Sequence, residues 1–121
     1  MAAMLVVDDD RDIVQLLADF LRHRGHDVWE ARSGMEALAL ARQRRFDVVF
    51  LDIAMPGMDG IDTLRRLKAE FPATIVVMIS GISDEHTATM SLDLGASDYI
   101  RKPFDFDYVD RVVSLSLLLA A

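Results

Sequence analysis

Acidic side chains directly follow two apolar stretches of the sequence. The stretch VVFL ends at Asp52, and the stretch MLVV ends at a run of acids, Asp8, Asp9 and Asp10. A carboxylate at the end of a buried strand is costly to desolvate unless its charge is compensated. Clustered carboxylates repel one another unless a cation lies among them, and oxygen ligands suit a hard ion such as Mg²⁺. Because a carboxylate can also act as a nucleophile and form an acyl phosphate, these acids indicate phosphoryl chemistry.

Groups that suit a phosphoryl ligand follow two further apolar stretches. Ser80 follows VVMI, and Arg101, Lys102 and Pro103 follow a short stretch near the end of the chain. A lysine neutralises phosphoryl oxygens as a point charge, and a hydroxyl donates a hydrogen bond to them. Taken singly, each residue has an ordinary explanation, as a helix cap, a turn residue or a solvated lysine. Their shared position favours the functional interpretation, in which Asp52 accepts the phosphoryl group.

The elements that must position these residues alternate between strand and helix. Apolar, β-favouring runs predict strands at 4–7, 27–31, 47–51, 74–79 and 97–100. Helical spacing of apolar residues predicts a helix after each strand, the fourth opening at Ser83 and the fifth running from about 105 to 119. Five such units predict a parallel sheet with helices on both faces. Ligands of such sheets bind outside the carboxyl ends of the strands, which is where the acids, the serine and the lysine stand.

Composition narrows the class of protein. The 121 residues suit one domain spanning 1–121, and 52% hydrophobic content argues against disorder. A net charge of −7 argues against direct nucleic-acid binding, which needs a basic surface. The sequence contains no cysteine, no apolar run of membrane-spanning length and no signal-peptide pattern. We therefore expect a soluble cytoplasmic domain without membrane contact.

Four motifs resemble the receiver domain of two-component response regulators in their order and spacing. They are LVVDDD, VVFLDIAMPGMDG, VVMISG and GASDYIRKPF, and together they extend along essentially the whole chain. The resemblance implies a flavodoxin-like fold, a doubly wound α/β structure of five βα units with parallel strands in the order 2-1-3-4-5. It also implies a signalling module that catalyses only its own phosphorylation and dephosphorylation and is not otherwise an enzyme.

The resemblance assigns a role to each candidate residue. Asp52 is implied to take the phosphoryl group from the phosphohistidine of a sensor histidine kinase or phosphotransfer protein. Mg²⁺ is implied to bind Asp9, Asp52 and the backbone carbonyl of Ala54, with Asp8 acting through water. Lys102 matches the lysine that contacts phosphate.

Two further features follow from the same resemblance. Ser80 and Tyr99 match the hydroxyl–aromatic pair that switches on phosphorylation, and the Lys102–Pro103 peptide bond is implied to be cis. Ala54 stands where many relatives carry a larger polar side chain, and Ser80 replaces a frequent threonine. Neither change removes an essential atom, so we expect altered rates rather than lost activity.

Other functions remain as alternatives. A haloacid-dehalogenase-like, Mg²⁺-dependent phosphatase also uses an aspartyl nucleophile, but it places a second acid two residues later, where this chain has Ala54. A flavin or nucleotide carrier would need a phosphate-cradling glycine loop, and neither G-x-G-x-x-G nor a Walker motif occurs. A phosphate-independent interaction module would be expected to lack part of the residue set.

The last predicted helix carries more apolar surface than one buried face requires. One stripe, predicted to face the sheet, contains Phe106, Val109, Val113 and Leu117. A second, displaced stripe contains Tyr108, Val112, Leu115 and Leu119. We expect the surface of the fourth helix, fifth strand and fifth helix to form a dimer or to dock a downstream effector domain. Packing of the second stripe on the fourth helix is the ordinary explanation.

Overall fold

Strands and helices alternate along the described part of the chain, which is residues 2–81 and 85–120 of the computed structural model. The strands are β1 (Ala3–Val7), β2 (Asp27–Ala31), β3 (Val48–Asp52), β4 (Ile75–Ser80) and β5 (Asp98–Arg101). The helices are α1 (Arg11–His23), α2 (Gly34–Gln43), α3 (Gly60–Glu70), α4 (Glu85–Asp93) and α5 (Phe106–Ala120). Every predicted strand is confirmed to within one residue at each end. The predicted start of the fourth helix at Ser83 lies outside the described residues.

The strands form one parallel sheet in the order β2-β1-β3-β4-β5, as the resemblance implied. The chain runs outward from β1 to β2 and then returns to place β3 on the other side of β1. The direction of winding therefore reverses between β1 and β3. In an open α/β sheet this reversal leaves a crevice at the carboxyl ends of the two strands. Asp8 follows β1 and Asp52 ends β3, so both acids lie at that crevice.

Two apolar layers cover the sheet because side chains alternate between its faces. On one face, Phe50 of β3 belongs to the core cluster that contains the buried residues of α1 and α5. On the other face, Val49 and Leu51 belong to the cluster that contains those of α2 and α3. Every residue of β3 is buried, which explains why this strand is continuously apolar up to Asp52. The central strand therefore holds its terminal carboxylate rigidly.

Side chains at the helix starts fix where several helices begin. Asp10 caps α1 by accepting hydrogen bonds from the amides of Asp12 and Ile13, at 2.9 and 3.4 Å. Ser33 caps α2 and Asp59 caps α3 in the same way. Such caps satisfy amide groups that have no partner within the helix. The chain thus leaves each of these strand ends in a defined direction.

Helix α5 differs in one respect from the sequence-based expectation. Val109 and Val113 face the core as predicted, but Val112 of the second stripe is also buried. Leu115 and Leu119 of the second stripe are exposed as expected, at 60% and 72%, and Leu118 adds to this apolar surface at 72%. Nowhere in residues 2–81 and 85–120 is a helix both long enough and apolar enough to cross a bilayer.

Candidate functional site: an acidic cluster at the carboxyl edge of the sheet

Asp52 is held at the end of β3 by a loop that folds back over it. The residue is 3% exposed and pairs with Ile79 of β4. The amide of Gly60 donates a 2.7 Å hydrogen bond to the carbonyl of Ile53, directly after Asp52. A Cβ atom at Gly60 would collide with the backbone carbonyl oxygen of Asp52, so only glycine allows this approach. Gly60 is the last residue of the motif VVFLDIAMPGMDG, and nothing in the sequence indicates its contact with the Asp52 backbone.

The acids after β1 take three different environments. Asp8 is fully buried, Asp9 is exposed, and Asp10 is exposed and caps α1. One carboxylate oxygen of Asp8, Oδ1, accepts a 3.0 Å hydrogen bond from the amide of Asp10. The backbone amide of Asp10, the residue that caps α1, therefore also orients the carboxylate of Asp8. This division of roles leaves Asp8 and Asp9, but not Asp10, near Asp52.

Lys102 follows β5, and its side chain reaches the acids at the ends of β1 and β3 across the end of β4. Its amide donates a 2.8 Å hydrogen bond to the carbonyl of Ser80, which extends the pairing of these strands by one step. The Lys102–Pro103 peptide bond is cis, as the resemblance implied. The ammonium nitrogen Nζ lies 2.6 Å from Oδ2 of Asp8 and 3.2 Å from Oδ1 of Asp52. One cation thus bridges two buried carboxylates.

The electrostatics of the cluster follow from burial and crowding. Burial raises the pKa of Asp52 to about 6, and repulsion from Asp8 acts in the same direction, while Lys102 opposes both. Burial by itself lowers the pKa of Lys102, but contact with Asp8 and the charge of Asp52 outweigh it, so that this pKa is raised. Lys102 is therefore a permanent cation at neutral pH, and Asp52 is mostly ionised there.

The donor set fits a divalent cation. Carboxylate oxygens of Asp8, Asp9 and Asp52 all lie within 4.8 Å of one another. Within the described residues, the ammonium group of Lys102 pairs with two of these acids, Asp8 and Asp52. Oδ2 of Asp8 is buried and contacts Lys102, but within the described residues no well-angled hydrogen-bond donor reaches it. A hydrated hard cation would supply the missing charge, and one of its waters would donate the missing hydrogen bond. Mg²⁺ is such an ion.

Ser80 and Tyr99 lie on the two strands that follow β3 in the sheet, β4 and β5. Ser80, the last residue of β4, is 1% exposed. Tyr99 of β5 is half-buried and packs against the core cluster on the α2 and α3 side of the sheet. Ala54 is exposed in the loop after β3. The structure thus brings Asp8, Asp9, Asp52 and Lys102 together, with the serine at the adjoining strand end.

Comparison with protein families decides which of the candidate functions applies. Residues 4–114 match the family described as the response regulator receiver domain. The chain belongs to this family. The receiver domain therefore has, as expected, the fold and the acidic cluster of a two-component signalling module. No comparison supports the phosphatase alternative, and the second acid that such an enzyme needs is absent at Ala54.

Individual curated relatives of this receiver domain are longer than the chain itself. It is 41% identical over 114 residues to the transcriptional regulatory protein ZraR of Salmonella typhimurium, covering 94% of this chain and 26% of that protein. It is 42% identical over 101 residues to the DNA-binding response regulator MtrA of Mycobacterium leprae, covering 84% of this chain and 44% of that protein. The chain thus spans about a quarter of ZraR and less than half of MtrA.

A solved structure of similar size also matches. The receiver domain of NtrX from Brucella abortus superposes with a TM-score of 0.90 at 40% identity, covering 94% of this chain and 97% of that one. The agreement covers nearly the whole of both chains and leads to the same family as the sequence motifs.

Proposed function

We propose that this receiver domain accepts a phosphoryl group on Asp52 from the phosphohistidine of a sensor histidine kinase or of a phosphotransfer protein. The observation that carries the proposal is the bridging of Asp8 and Asp52 by Lys102 at 2.6 and 3.2 Å. A lysine held there neutralises the oxygens of a phosphoryl group as it joins Asp52. We place this reaction in the cytoplasm, where response regulators typically work.

The transfer requires an ionised Asp52 at the crevice. One carboxylate oxygen attacks the phosphorus, the bond between phosphorus and the histidine nitrogen breaks, and that nitrogen keeps the electron pair. The product is an acyl phosphate on Asp52 and a free imidazole. The signal ends when water attacks the same phosphorus, which releases inorganic phosphate and restores the carboxylate of Asp52. The domain would thus catalyse only its own phosphorylation and dephosphorylation.

The remaining residues are proposed to hold and orient the phosphoryl group. Asp8, Asp9, Asp52 and the backbone carbonyl of Ala54 would hold Mg²⁺, with Asp8 acting through water. The ion, when bound, supplies positive charge for the oxygens of the phosphoryl group. Lys102 would contact a second oxygen, and the hydroxyl of Ser80 would donate to a third. Because Ala54 offers no polar side chain, we expect it to change the rate of hydrolysis rather than the ability to be phosphorylated.

Mass spectrometry of the intact chain tests the acceptor. After incubation with acetyl phosphate and Mg²⁺ we expect a mass increase of about 80 Da, the mass of one phosphoryl group on a carboxylate. The variant Asp52→Asn should fold and show no increase. Asp59→Asn is the matched control, because it changes an exposed acid of the same loop and asparagine also caps helices well. An adduct on Asp52→Asn at the wild-type rate would contradict the assignment.

The output of the domain is proposed to leave through the surface formed by α4, β5 and α5. Leu115, Leu118 and Leu119 expose apolar side chains there, and Leu92 of α4 is also exposed. Phosphorylation at Asp52 would reach this surface through Ser80 and Tyr99. The partner would be a second copy or a downstream effector domain. Relatives named as a transcriptional regulatory protein and as a DNA-binding response regulator suggest a transcriptional output.

Sedimentation with a beryllofluoride mimic of the phosphoryl group tests the dimer. We expect the mimic to increase the apparent mass of the wild type and of Leu16→Asp, which alters an exposed leucine on α1. Leu115→Asp should abolish the increase. A wild type that stays monomeric would rule out the dimer, and a full-length protein whose output is unaffected by Leu115→Asp would rule out this surface.

A further inference from the structure

A cavity of about 360 Å³ opens at the opposite edge of the sheet from the acidic cluster. It lies where α2 and α3 end and where β3 and β4 begin, so it is remote from Asp52 at the carboxyl end of β3. Its apolar lining comes from Ala41, Phe46, Val49 and Phe71. A concave, mainly apolar space of this size is typical of small-molecule sites.

The rim of this cavity is basic, although the chain as a whole is acidic. Arg42, Arg44 and Arg45 all line it, whereas the chain has 20 acidic against 13 basic residues. Arg42 already binds a carboxylate, donating hydrogen bonds of 2.8 Å to each of the two oxygens of Glu70. Among the described residues, no carboxylate pairs with Arg44 or Arg45. Two exposed guanidinium groups therefore stand uncompensated beside an apolar space.

The guanidinium group of Arg44 stacks on an aromatic ring. Its guanidinium carbon lies 3.5 Å from the ring centroid of Trp29, and the Trp29 ring packs edge-on against Phe46 of the cavity wall. Stacking on an aromatic ring uses the face of the guanidinium plane and leaves its N–H edges able to donate. A guanidinium that is preorganised in this way loses little conformational freedom when it binds an anion.

We propose that this cavity binds a small anion with an apolar body, of which a medium-chain carboxylate is the simplest example. The apolar body would lie against Phe71, the half-buried aromatic residue of the lining, since Phe46 and Val49 are already buried. Burial of apolar surface from water is favourable there. The carboxylate would accept charge-assisted hydrogen bonds from Arg44 and Arg45, as Glu70 already does from Arg42. A neutral molecule of the same shape would leave the guanidinium groups without a partner, so the site would distinguish charge.

Trp29 provides a direct readout, because it is the single tryptophan of the chain and contacts Arg44. Octanoate, kept below its micelle-forming concentration, is the probe, and octanol is the neutral comparison. We expect a saturable change in Trp29 fluorescence with octanoate, matched by heat in calorimetry. We expect octanol to bind at least about tenfold more weakly, which corresponds to the loss of one charge-assisted hydrogen bond. Equal binding of the two probes, or no saturable binding of octanoate, would overturn the proposal.

Two alanines of α2 supply a matched pair of variants. Ala41 lines the cavity, whereas Ala39 is exposed on the same helix, and leucine is a good helix former at both positions. We expect Ala41→Leu to fill the cavity and weaken octanoate binding at least about tenfold, and Ala39→Leu to leave it unchanged. If Ala41→Leu does not fold, Arg45→Gln is the second variant, and it should weaken octanoate binding but not octanol binding. Wild-type affinity in the folded Ala41→Leu protein, or in Arg45→Gln, would contradict the site.

Discussion

The ammonium nitrogen of Lys102 lies 2.6 Å from Oδ2 of Asp8, a carboxylate that is buried on the opposite side of the crevice. The same nitrogen lies 3.2 Å from Asp52, so the two acids depend on one cation. Removal of one partner from a buried charge cluster is costly, because the remaining charges stay desolvated without compensation. The stability of the Mg²⁺-free domain should therefore depend on Lys102.

The variant Lys102→Met tests this dependence. We expect it to lower the free energy of unfolding by about 3 kcal/mol in the absence of Mg²⁺, because Asp8 and Asp52 lose their counter-charge. Arg101→Met is the control, since Arg101 is the exposed neighbour, and its effect should stay within about 0.5 kcal/mol. Urea unfolding monitored by circular dichroism gives both values. A Lys102→Met protein as stable as Arg101→Met would show that the bridge contributes nothing.

The raised pKa of Asp52 predicts a pH dependence of stability. The folded-state pKa is about 6 and the ordinary value is 3.8, so between these limits the folded state holds a proton that the unfolded state has lost. The stabilisation of the folded state by this proton is fully present below pH 3.8. It is lost as the pH rises through about 6, which lowers the free energy of unfolding by at most about 3 kcal/mol. The variant Asp52→Asn has no ionisable group at this position and therefore cannot show this loss of stability.

The useful measurement is a difference, because other carboxyl groups titrate in the same range. The free energy of unfolding of Asp52→Asn minus that of the wild type, without Mg²⁺, should increase between pH 4 and pH 7. The variant should be the more stable protein at pH 7, since asparagine keeps the size of the side chain and removes the repulsion from Asp8. A difference that is constant over this range would contradict the raised pKa.

Neighbouring acids after β1 allow a sharp test of the proposed metal site. Asp9 belongs to the cluster around Asp52, whereas Asp10 caps α1. We expect Mg²⁺ at a hundred times its dissociation constant to stabilise the wild type by about 2.7 kcal/mol. Asp9→Asn should weaken Mg²⁺ binding about tenfold or more, and Asp10→Asn should leave it unchanged because asparagine keeps the cap. Calorimetric melting with and without Mg²⁺ gives these values, and equal effects of the two variants would rule out Asp9 as a ligand.

The sequence predicted the strands and the acidic edge well because both depend on local patterns. A continuous apolar run such as the one before Asp52 is typical of a strand covered on both faces, and parallel strands necessarily end at one edge. Local patterns could not decide which of Asp9 and Asp10 caps α1, since either acid has a side chain suited to a cap. That choice depends on the direction in which the chain leaves β1, which is a tertiary property.

Contacts between distant side chains were not predictable in the same way. The placement of Arg44 on Trp29 joins residues from different elements, and nothing in their spacing along the chain indicates it.

The burial of Val112 is unpredictable from the sequence for a related reason. Its position in a displaced stripe of α5 suggested the surface, but the core between α5 and the sheet is wide enough to include it. Packing between elements, rather than helical periodicity, decides such cases.

The switch role proposed for Ser80 and Tyr99 leads to the last prediction. A hydrogen bond from the Ser80 hydroxyl to a charged phosphoryl group is worth about 1.5–3 kcal/mol, which shifts a two-state equilibrium roughly ten- to a hundredfold. That is enough to make a minor arrangement of Tyr99 the major one.

The chain has only one other tyrosine, Tyr108, whose hydroxyl donates a 2.9 Å hydrogen bond to Asp98. Labelling with 3-fluorotyrosine therefore gives two fluorine resonances, which Tyr108→Phe assigns. We expect beryllofluoride with Mg²⁺ to shift the Tyr99 resonance in the wild type and to shift it much less in Ser80→Ala. Binding of the mimic must be verified in the variant, for which protection against thermal unfolding is the control. A full Tyr99 shift in Ser80→Ala would show that the signal reaches β5 without the Ser80 hydroxyl.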